Sequence, residues 1–345
     1  MRIFFRFIIL ILTIQAVPAT QIVETDHVKP FRIRVDKERI FISEGAQISV
    51  YSKETFKLLS RFGKAGEGPG EFKLLPEFGP ELDVSSGRIL ATSLGKITLI
   101  SYDGKFLAEK NTSKLGRVEL FRPLGDRYAG NAFQFEDKKI WNVINIYDKE
   151  LKTSKTINKI PFHMKRGEKF NPITRGIYLP NFYISGGKIW VGGALYKDNI
   201  RLHDENGRIL LDIDPAIERV KFTEKDKQGY IDSYMINADY KLHYERLKQR
   251  FLYPDYFPLW QNFIPVDGKI YIQTFARDEQ NGTNEFYIYD FGGNYLRTVR
   301  LPLTEYFDFT PDPYYIYDNR LYQLSNNYDD EVIELRITEI DQRDR

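Results

Sequence analysis

Apolar and polar residues alternate in short runs along most of the chain, and small turn residues cut the runs. The alternation is clearest from Glu81 to Leu107. There Glu81–Ser85, Arg88–Ser93, 96–102 and Phe106-Leu107 read as strands, each half apolar and half polar. Ser86-Gly87, Leu94-Gly95 and Asp103-Gly104 separate them. Asp-Gly suits a two-residue hairpin because both central residues of a type I′ turn need positive φ. The pattern predicts one four-stranded antiparallel sheet.

That unit returns, worn down, through the chain. Six turns are each followed by a basic residue and an apolar strand: Asp36-Lys37-Glu38-Arg39 before Ile40, Ser86-Gly87-Arg88 before Ile89, Gly125-Asp126-Arg127 before Tyr128, Gly186-Gly187-Lys188 before Ile189, Asp267-Gly268-Lys269 before Ile270, and Asp318-Asn319-Arg320 before Leu321. A second set begins with an aromatic residue: Tyr51-Ser52-Lys53, Tyr102-Asp103-Gly104, Tyr147-Asp148-Lys149, His203-Asp204-Glu205-Asn206-Gly207 and Tyr289-Asp290-Phe291-Gly292-Gly293. The two sets interleave, one of each per unit. A supersecondary unit recurring at this scale means a propeller or an array. The predicted fold is all-β: a six-bladed β-propeller with four-stranded antiparallel blades at 31–62, 81–110, 120–157, 181–213, 261–301 and 314–340. The sixth unit lacks a clear outer turn. Residues 21–28 are expected to supply its missing strand and close the ring, which removes an exposed sheet edge.

The best-formed unit also resembles a known family. Phe62-Gly63, Gly66, Gly68-Pro69-Gly70-Glu71-Phe72, Pro76, Leu82-Asp83-Val84, Gly87-Arg88-Ile89-Leu90, Ile97 and Tyr102-Asp103-Gly104-Lys105-Phe106-Leu107 are similar to the NHL-type repeat of six-bladed propellers. The match covers about one blade and departs at Ala91-Thr92-Ser93, where that family usually has an Ala-Asp pair. The resemblance implies a scaffold used mainly for interaction, although some similar propellers are lyases, lactonases or other hydrolases with central metal ions. The glycines at 63–70 could alternatively cradle phosphate. Such a site needs a following helix N-terminus, and here Pro76, Pro80 and a strand pattern follow instead.

Two inserts break the repeat. Residues 161–180 are basic and irregular, with Lys165, Arg166, Lys169 and Arg175. Residues 214–260, between the fourth and fifth blades, look helical. Asp214-Pro215 reads as a cap with proline at the first helical position, and Thr223-Glu224 as a second start. Ile231, Tyr234, Met235, Ala238 and Leu242 form a stripe at helical spacing, expected to pack on a blade edge.

In a four-stranded blade the turns after the first and third strands share one face, and these turns are short. The opposite face carries 63–80, 161–180, 214–260, 277–284 and 326–330. Binding residues concentrate on loops held by a rigid scaffold, so the ligand is expected on this long-loop face. The candidate contacts are Arg166, Arg175 and Tyr178 from one insert and Tyr253, Tyr256, Phe257 and Trp260 from the other. The aromatic rings could meet a sugar or a peptide, or could instead seal the insert onto the rim.

Composition narrows the partners. The 345 residues contain no cysteine, so disulfides and thiolate sites are excluded. Residues 1–19 read as a secretory signal peptide, with Arg2 and Arg6 before an apolar core from Ile8 to Val17 and small residues at Val17-Pro18-Ala19. The competing membrane anchor would need roughly 20 apolar residues, and Arg6 leaves too few. Cleavage would place a single propeller domain, 20–345, in the periplasm or outside the cell. It also takes the formal charge from +2 to zero by removing two arginines. A neutral chain has no electrostatic case for nucleic acid or an anionic membrane as its main partner. A monomer is expected.

Catalytic signals are sparse. His27, His163, His203 and His243 do not stand at metal-ligand spacing with one another or with a carboxylate pair. His203 occupies a strand end where other units have Tyr, which favours a structural role; His163 in the basic loop is a weak site candidate. Asp329-Asp330 could offer oxygen ligands to calcium, but acidic loop tips are usually just solvated. No cofactor or metal site is predicted. Asn111-Thr112-Ser113 and Asn281-Gly282-Thr283 match glycosylation acceptors. The sequence thus predicts an exported, non-enzymatic propeller that binds a protein, peptide or glycan. The alternative is a metal-dependent hydrolase, lactonase or lyase with its site at the central channel, since channel ligands come from different blades and need leave no local motif.

Overall fold

Each basic-residue turn of the sequence closes a hairpin. Val35 pairs with Ile40, Ser85 with Arg88, Leu124 with Arg127, Ser185 with Lys188, Val266 with Lys269 and Tyr317 with Arg320. Asp318 and Asn319 both adopt positive φ, 51° and 58°, as a two-residue turn requires. Gly104 has φ 87°, and a Cβ there would lie 2.6 Å from the Phe62 ring, so only glycine fits.

The computed structural model describes residues 20–74, 78–85, 87–115, 117–162, 169–173, 181–193, 198–235, 238–307, 310–327 and 332–340. They form a six-bladed β-propeller with four-stranded antiparallel blades. From inner to outer strand, blade 1 is Arg32–Val35, Arg39–Glu44, Gln47–Ser52 and Leu58–Phe62. Blade 2 is Glu81–Ser85, Arg88–Ser93, Lys96–Ser101 and Phe106–Asn111. Blade 3 is Arg117–Leu124, Arg127–Glu136, Lys139–Tyr147 and Thr153–Phe162. Blade 4 is Phe182–Ser185, Lys188–Gly192, Ile200–His203 and Ile209–Ile213. Blade 5 is Asn262–Val266, Lys269–Asp278, Thr283–Asp290 and Tyr295–Pro302. Blade 6 is Tyr314–Tyr317, Arg320–Asn327, Val332–Glu339 and, from the start of the chain, Thr20–Glu24. The inner strands neighbour one another right round the ring, with Arg32–Val35 beside both Glu81–Ser85 and Tyr314–Tyr317.

A blade has two faces, and each buries its apolar residues against the next blade. Six cores result, one per interface. Between blades 4 and 5, Trp190, Ile200 and Ile213 meet Phe263, Ile270 and Ile272. Between blades 6 and 1, Tyr322, Leu324 and Leu335 meet Ile33, Ile40 and Ile42. Gly192 fits the former only because it lacks a side chain: a Cβ would lie 2.6 Å from the Trp260 ring and 2.7 Å from that of Phe263.

The expected closing strand forms. Thr20 lies opposite Thr338 and Glu24 opposite Glu334, and the strand is shorter than the 21–28 anticipated. Beyond it the chain turns to bind blade 1. The backbone N–H groups of Val28 and Lys29 donate to Glu44, and His27 stands between Glu44, 2.8 Å from Nδ1, and the Tyr51 hydroxyl, 3.0 Å from Nε2. Asp26 accepts from Arg61 at 2.6 Å and from the Tyr51 hydroxyl at 3.2 Å.

The Arg61 hydrogen bond holds the Asp26 carboxyl down at about 2. A depressed carboxyl contributes stability above its unfolded value, lost as pH falls through the folded one. The closure should therefore loosen between about pH 4 and pH 2. Thermal midpoints across this range should fall less steeply in Asp26→Asn than in the parent chain.

The helical insert forms as expected between blades 4 and 5, with one correction. Asp214-Pro215 does not start a helix. Ile213 and Ile217 are drawn instead into the core between the blades, and 214–220 runs without regular structure. The first helix, α1 (Glu224–Tyr234), starts at Thr223, whose side chain accepts from Asp226 N while its own N–H donates to the Asp226 carboxylate at 2.8 Å, a capping box. The second, α2, is Ala238–Leu247. Tyr230 and Tyr234 join Phe222, Phe257, Phe275 and Ile173 in a seventh core. The predicted stripe is thus split: Tyr234 points inward, while Leu242 is 68% exposed and Met235 is also at the surface.

Candidate functional site

The six inner strands bring their polar residues to the central channel. Strand alternation sends Ile33 and Val35 into the core between blades 6 and 1, which leaves Arg32 and Arg34 on the other side. Leu82 is buried in the same way between Glu81 and Asp83. A cavity of about 100 Å³ results, to which every blade contributes: Arg34, Asp83, Arg122, Tyr183, Pro265 and Tyr315.

Two ion pairs bridge blades here. Arg32 Nε donates to both Glu81 carboxylate oxygens at 2.9 Å. Arg122 Nη1 lies 2.6 Å from Asp83 Oδ2, and its Nε donates to the Phe182 carbonyl at 2.9 Å. The Arg122 side chain is 6% exposed and its guanidinium sits 4.7 Å from the Tyr183 ring centroid. Burial works against the Glu81 charge, but Arg32 and Arg34 more than offset it and hold its carboxyl below the usual range. Nearer the long loops, Asn181 donates to Asn262 at 3.0 Å, Asn262 to the Tyr314 hydroxyl at 2.8 Å, and Tyr314 to Gln273 at 2.7 Å. Burial pushes the Tyr314 hydroxyl far up, so it stays a donor.

This lining does not fit a divalent cation. Among the described residues both channel carboxylates are taken by arginines, and a third arginine, Arg34, adds positive charge. Among the described residues no group of three or more His, Cys, Asp or Glu side chains could hold a metal ion.

The candidates of the long-loop face have different fates. Arg166, Arg175 and Tyr178, with His163, lie outside the described residues, as do Asp329 and Asp330. Tyr253 stacks on Phe222 at 5.9 Å within the insert core, and Phe257 stacks on Phe275 at 4.6 Å. Trp260 is 2% exposed, and its indole N–H donates to the Asp198 carbonyl at 2.7 Å. Phe257 and Trp260 seal the insert to the rim and Tyr253 packs within it; Tyr256, 50% exposed, presents its ring to solvent.

Two further readings resolve. The glycine-rich loop holds the chain's own carboxylate: Glu71 accepts from Gly68 N at 2.9 Å, and a Cβ on Gly66 would lie 2.0 Å from Glu71 Oε2. Lys96 pins the loop through the Gly68 carbonyl and Glu109, both at 2.8 Å. His203 is buried at its strand end near the Gly207 carbonyl, and burial pushes its ring below the usual value, so it stays neutral.

The sequence missed the channel because its parts are dispersed. Arg32 and Glu81 stand 49 residues apart, and Asp83 and Arg122 stand 39 apart. The available signal was a polar residue alternating with buried apolar ones in the first strand of each unit.

One solved structure supports the fold, and two others stand beside it. A member of the DUF4221 family from Bacteroides vulgatus is 12% identical, with 94% of this chain and 96% of that chain covered and a TM-score of 0.51. The luciferin-regenerating enzyme is 11% identical over 93% of this chain and 96% of that one, with a TM-score of 0.43. The Neurospora crassa Pan2 WD40 domain is 8% identical over 80% and 67%, with a TM-score of 0.40. At such identities the likeness to the first shows the fold alone. No family model matches the chain and no curated protein does, so the NHL-type assignment is not confirmed. Among the described residues no helix is long and apolar enough to cross a membrane.

Proposed function

We propose that the protein is an exported, non-enzymatic propeller that binds a protein, peptide or glycan on its long-loop face. The charge balance of the channel carries the choice of binding over catalysis. Glu81 and Asp83, the carboxylates that the described inner strands bring to the channel, are each locked to an arginine. Carboxylates held in this way are poor ligands for a catalytic metal ion and poor proton carriers. The insert supports the choice of face. It has a core of its own and leaves Tyr256, Leu252, Met235 and Leu242 at the surface. Export rests on the signal-like segment at 1–19, and the NHL-type resemblance agrees with an interaction scaffold.

Panning peptide libraries and glycan arrays with the purified protein tests this. Ligands recovered with the parent chain should bind at least about tenfold more weakly to Tyr256→Ala, an exposed position where substitution leaves stability within about 0.5 kcal/mol. Turnover of ester or lactone substrates with a stoichiometric metal ion would replace the binding reading with the enzymatic one. Mass spectrometry of exported material should find an N-terminus near residue 20.

A further inference from the structure

We propose that the channel cavity binds a small carboxylate anion, with Arg34 as its anchor. This site is separate from the long-loop face. The cavity-lining residues Val35, Ser85, Pro123, Ile184 and Pro265 are at or next to the ends of their inner strands, where the chain enters the short turns.

The argument begins with a charge that the fold leaves uncompensated. Three guanidinium groups, Arg32, Arg34 and Arg122, meet two carboxylates, Glu81 and Asp83. Both carboxylates are engaged by Arg32 and Arg122. Arg34 has no carboxylate within ion-pair distance among the described residues. Its Nη1 donates to the Ile33 carbonyl at 2.8 Å, while its Nε is buried with no hydrogen-bond partner among them. An arginine cannot shed its proton to escape such a site, and a buried donor without an acceptor is destabilising. What remains is a counterion from outside.

The chemistry of that counterion follows from the lining. The surplus is one positive charge, so one negative charge balances it. A guanidinium presents planar, parallel N–H donors that match the two oxygens of a carboxylate. The Tyr315 ring lies 5.4 Å from the Arg34 guanidinium and Tyr183 flanks Arg122, which gives an apolar wall for a short carbon stem. About 100 Å³ admits a few waters or an acid of acetate size. The carboxylate can belong to a free small acid or to the C-terminus of a peptide reaching into the channel.

Thermal unfolding in sodium acetate against sodium chloride, at equal ionic strength and neutral pH, tests the site. Saturating acetate should raise the parent midpoint by a few °C more than chloride does. Arg34→Met should be more stable than the parent in chloride and show no acetate-specific rise. Arg88→Met, an exposed arginine of blade 2, should respond as the parent does. Equal parent midpoints in the two salts, or an acetate response that survives in Arg34→Met, would overturn the proposal; the salt comparison on the parent alone does not depend on the variant folding. A rise with phosphate but not acetate would overturn the carboxylate assignment. Calorimetric titration then separates the sources. A short free-acid peptide that binds more tightly than acetate while its C-terminal amide does not bind assigns a peptide terminus; acetate binding equal to or tighter than the peptide's assigns a free acid; no binding by acetate or by the peptide overturns the site. Failure here leaves the long-loop reading standing, because that is read from Tyr256 and library ligands.

Discussion

Arg122→Met should lower folding stability by about 3–5 kcal/mol, among the largest losses any single substitution in this chain would cause. Arg122 belongs to blade 3, its carboxylate partner Asp83 to blade 2, and the Phe182 carbonyl it caps to blade 4. Methionine fills much of the same volume but removes the charge and both donors. Asp83, 14% exposed, would then keep a negative charge without its partner, and the Phe182 carbonyl would lose a donor. Denaturant midpoints should show the loss. The double variant Arg122→Met with Asp83→Leu should recover most of it, because replacing a whole buried pair by apolar residues is close to neutral while breaking one is not. Arg122→Lys should fall between, keeping the charge but not the fork that reaches two acceptors. A single variant within about 1 kcal/mol of the parent would show that water already screens the pair.

Removing residues 20–24 should have an effect of similar size. Five residues of this strand pair with Val332–Glu339, and Thr25 adds its N–H to the Ile333 carbonyl at 3.0 Å. At roughly 1 kcal/mol net per hydrogen bond the loss is several kcal/mol, before counting Val23, which packs against the core between blades 6 and 1. A drop in thermal midpoint on the order of 10 °C is expected for a chain of this size. The truncation also uncovers the edge of Val332–Glu339, which invites pairing between molecules. Size-exclusion chromatography should show oligomers, and a synthetic peptide of Thr20–Glu24 added in excess should reduce them. A truncated chain that stays monomeric with an unchanged midpoint would mean that blade 6 stands on three strands.

The ring was legible because its punctuation is local. Asp318, Asn319 and Gly104 sit at positive φ, where turn residues fit best, and each turn announces a hairpin within a few positions. The closing strand could be inferred because blade 6 was one strand short. The start of the first helix was misread at Asp214-Pro215, since a cap signal says nothing about whether nearby apolar residues are wanted by a core. Ile217 was, and the helix waited for Thr223. Tyr253, Phe257 and Trp260 show the same limit: an aromatic run looks identical whether it faces a ligand or a neighbouring blade, and burial decides. The channel was illegible for a geometric reason. Arg34 and Tyr315 stand on neighbouring inner strands drawn from opposite ends of the chain, with the cation 5.4 Å from the ring centroid. Only the closed ring brings them together.

The pairing of Thr20 with Thr338 has a consequence for biosynthesis. The first described strand to emerge from the ribosome hydrogen-bonds across 318 positions to one of the last. Until Val332–Glu339 has been made, Thr20–Glu24 lacks this partner, and such long-range pairing is slow to form. During that interval the unpaired edge of the opening strand is open to pairing with other chains.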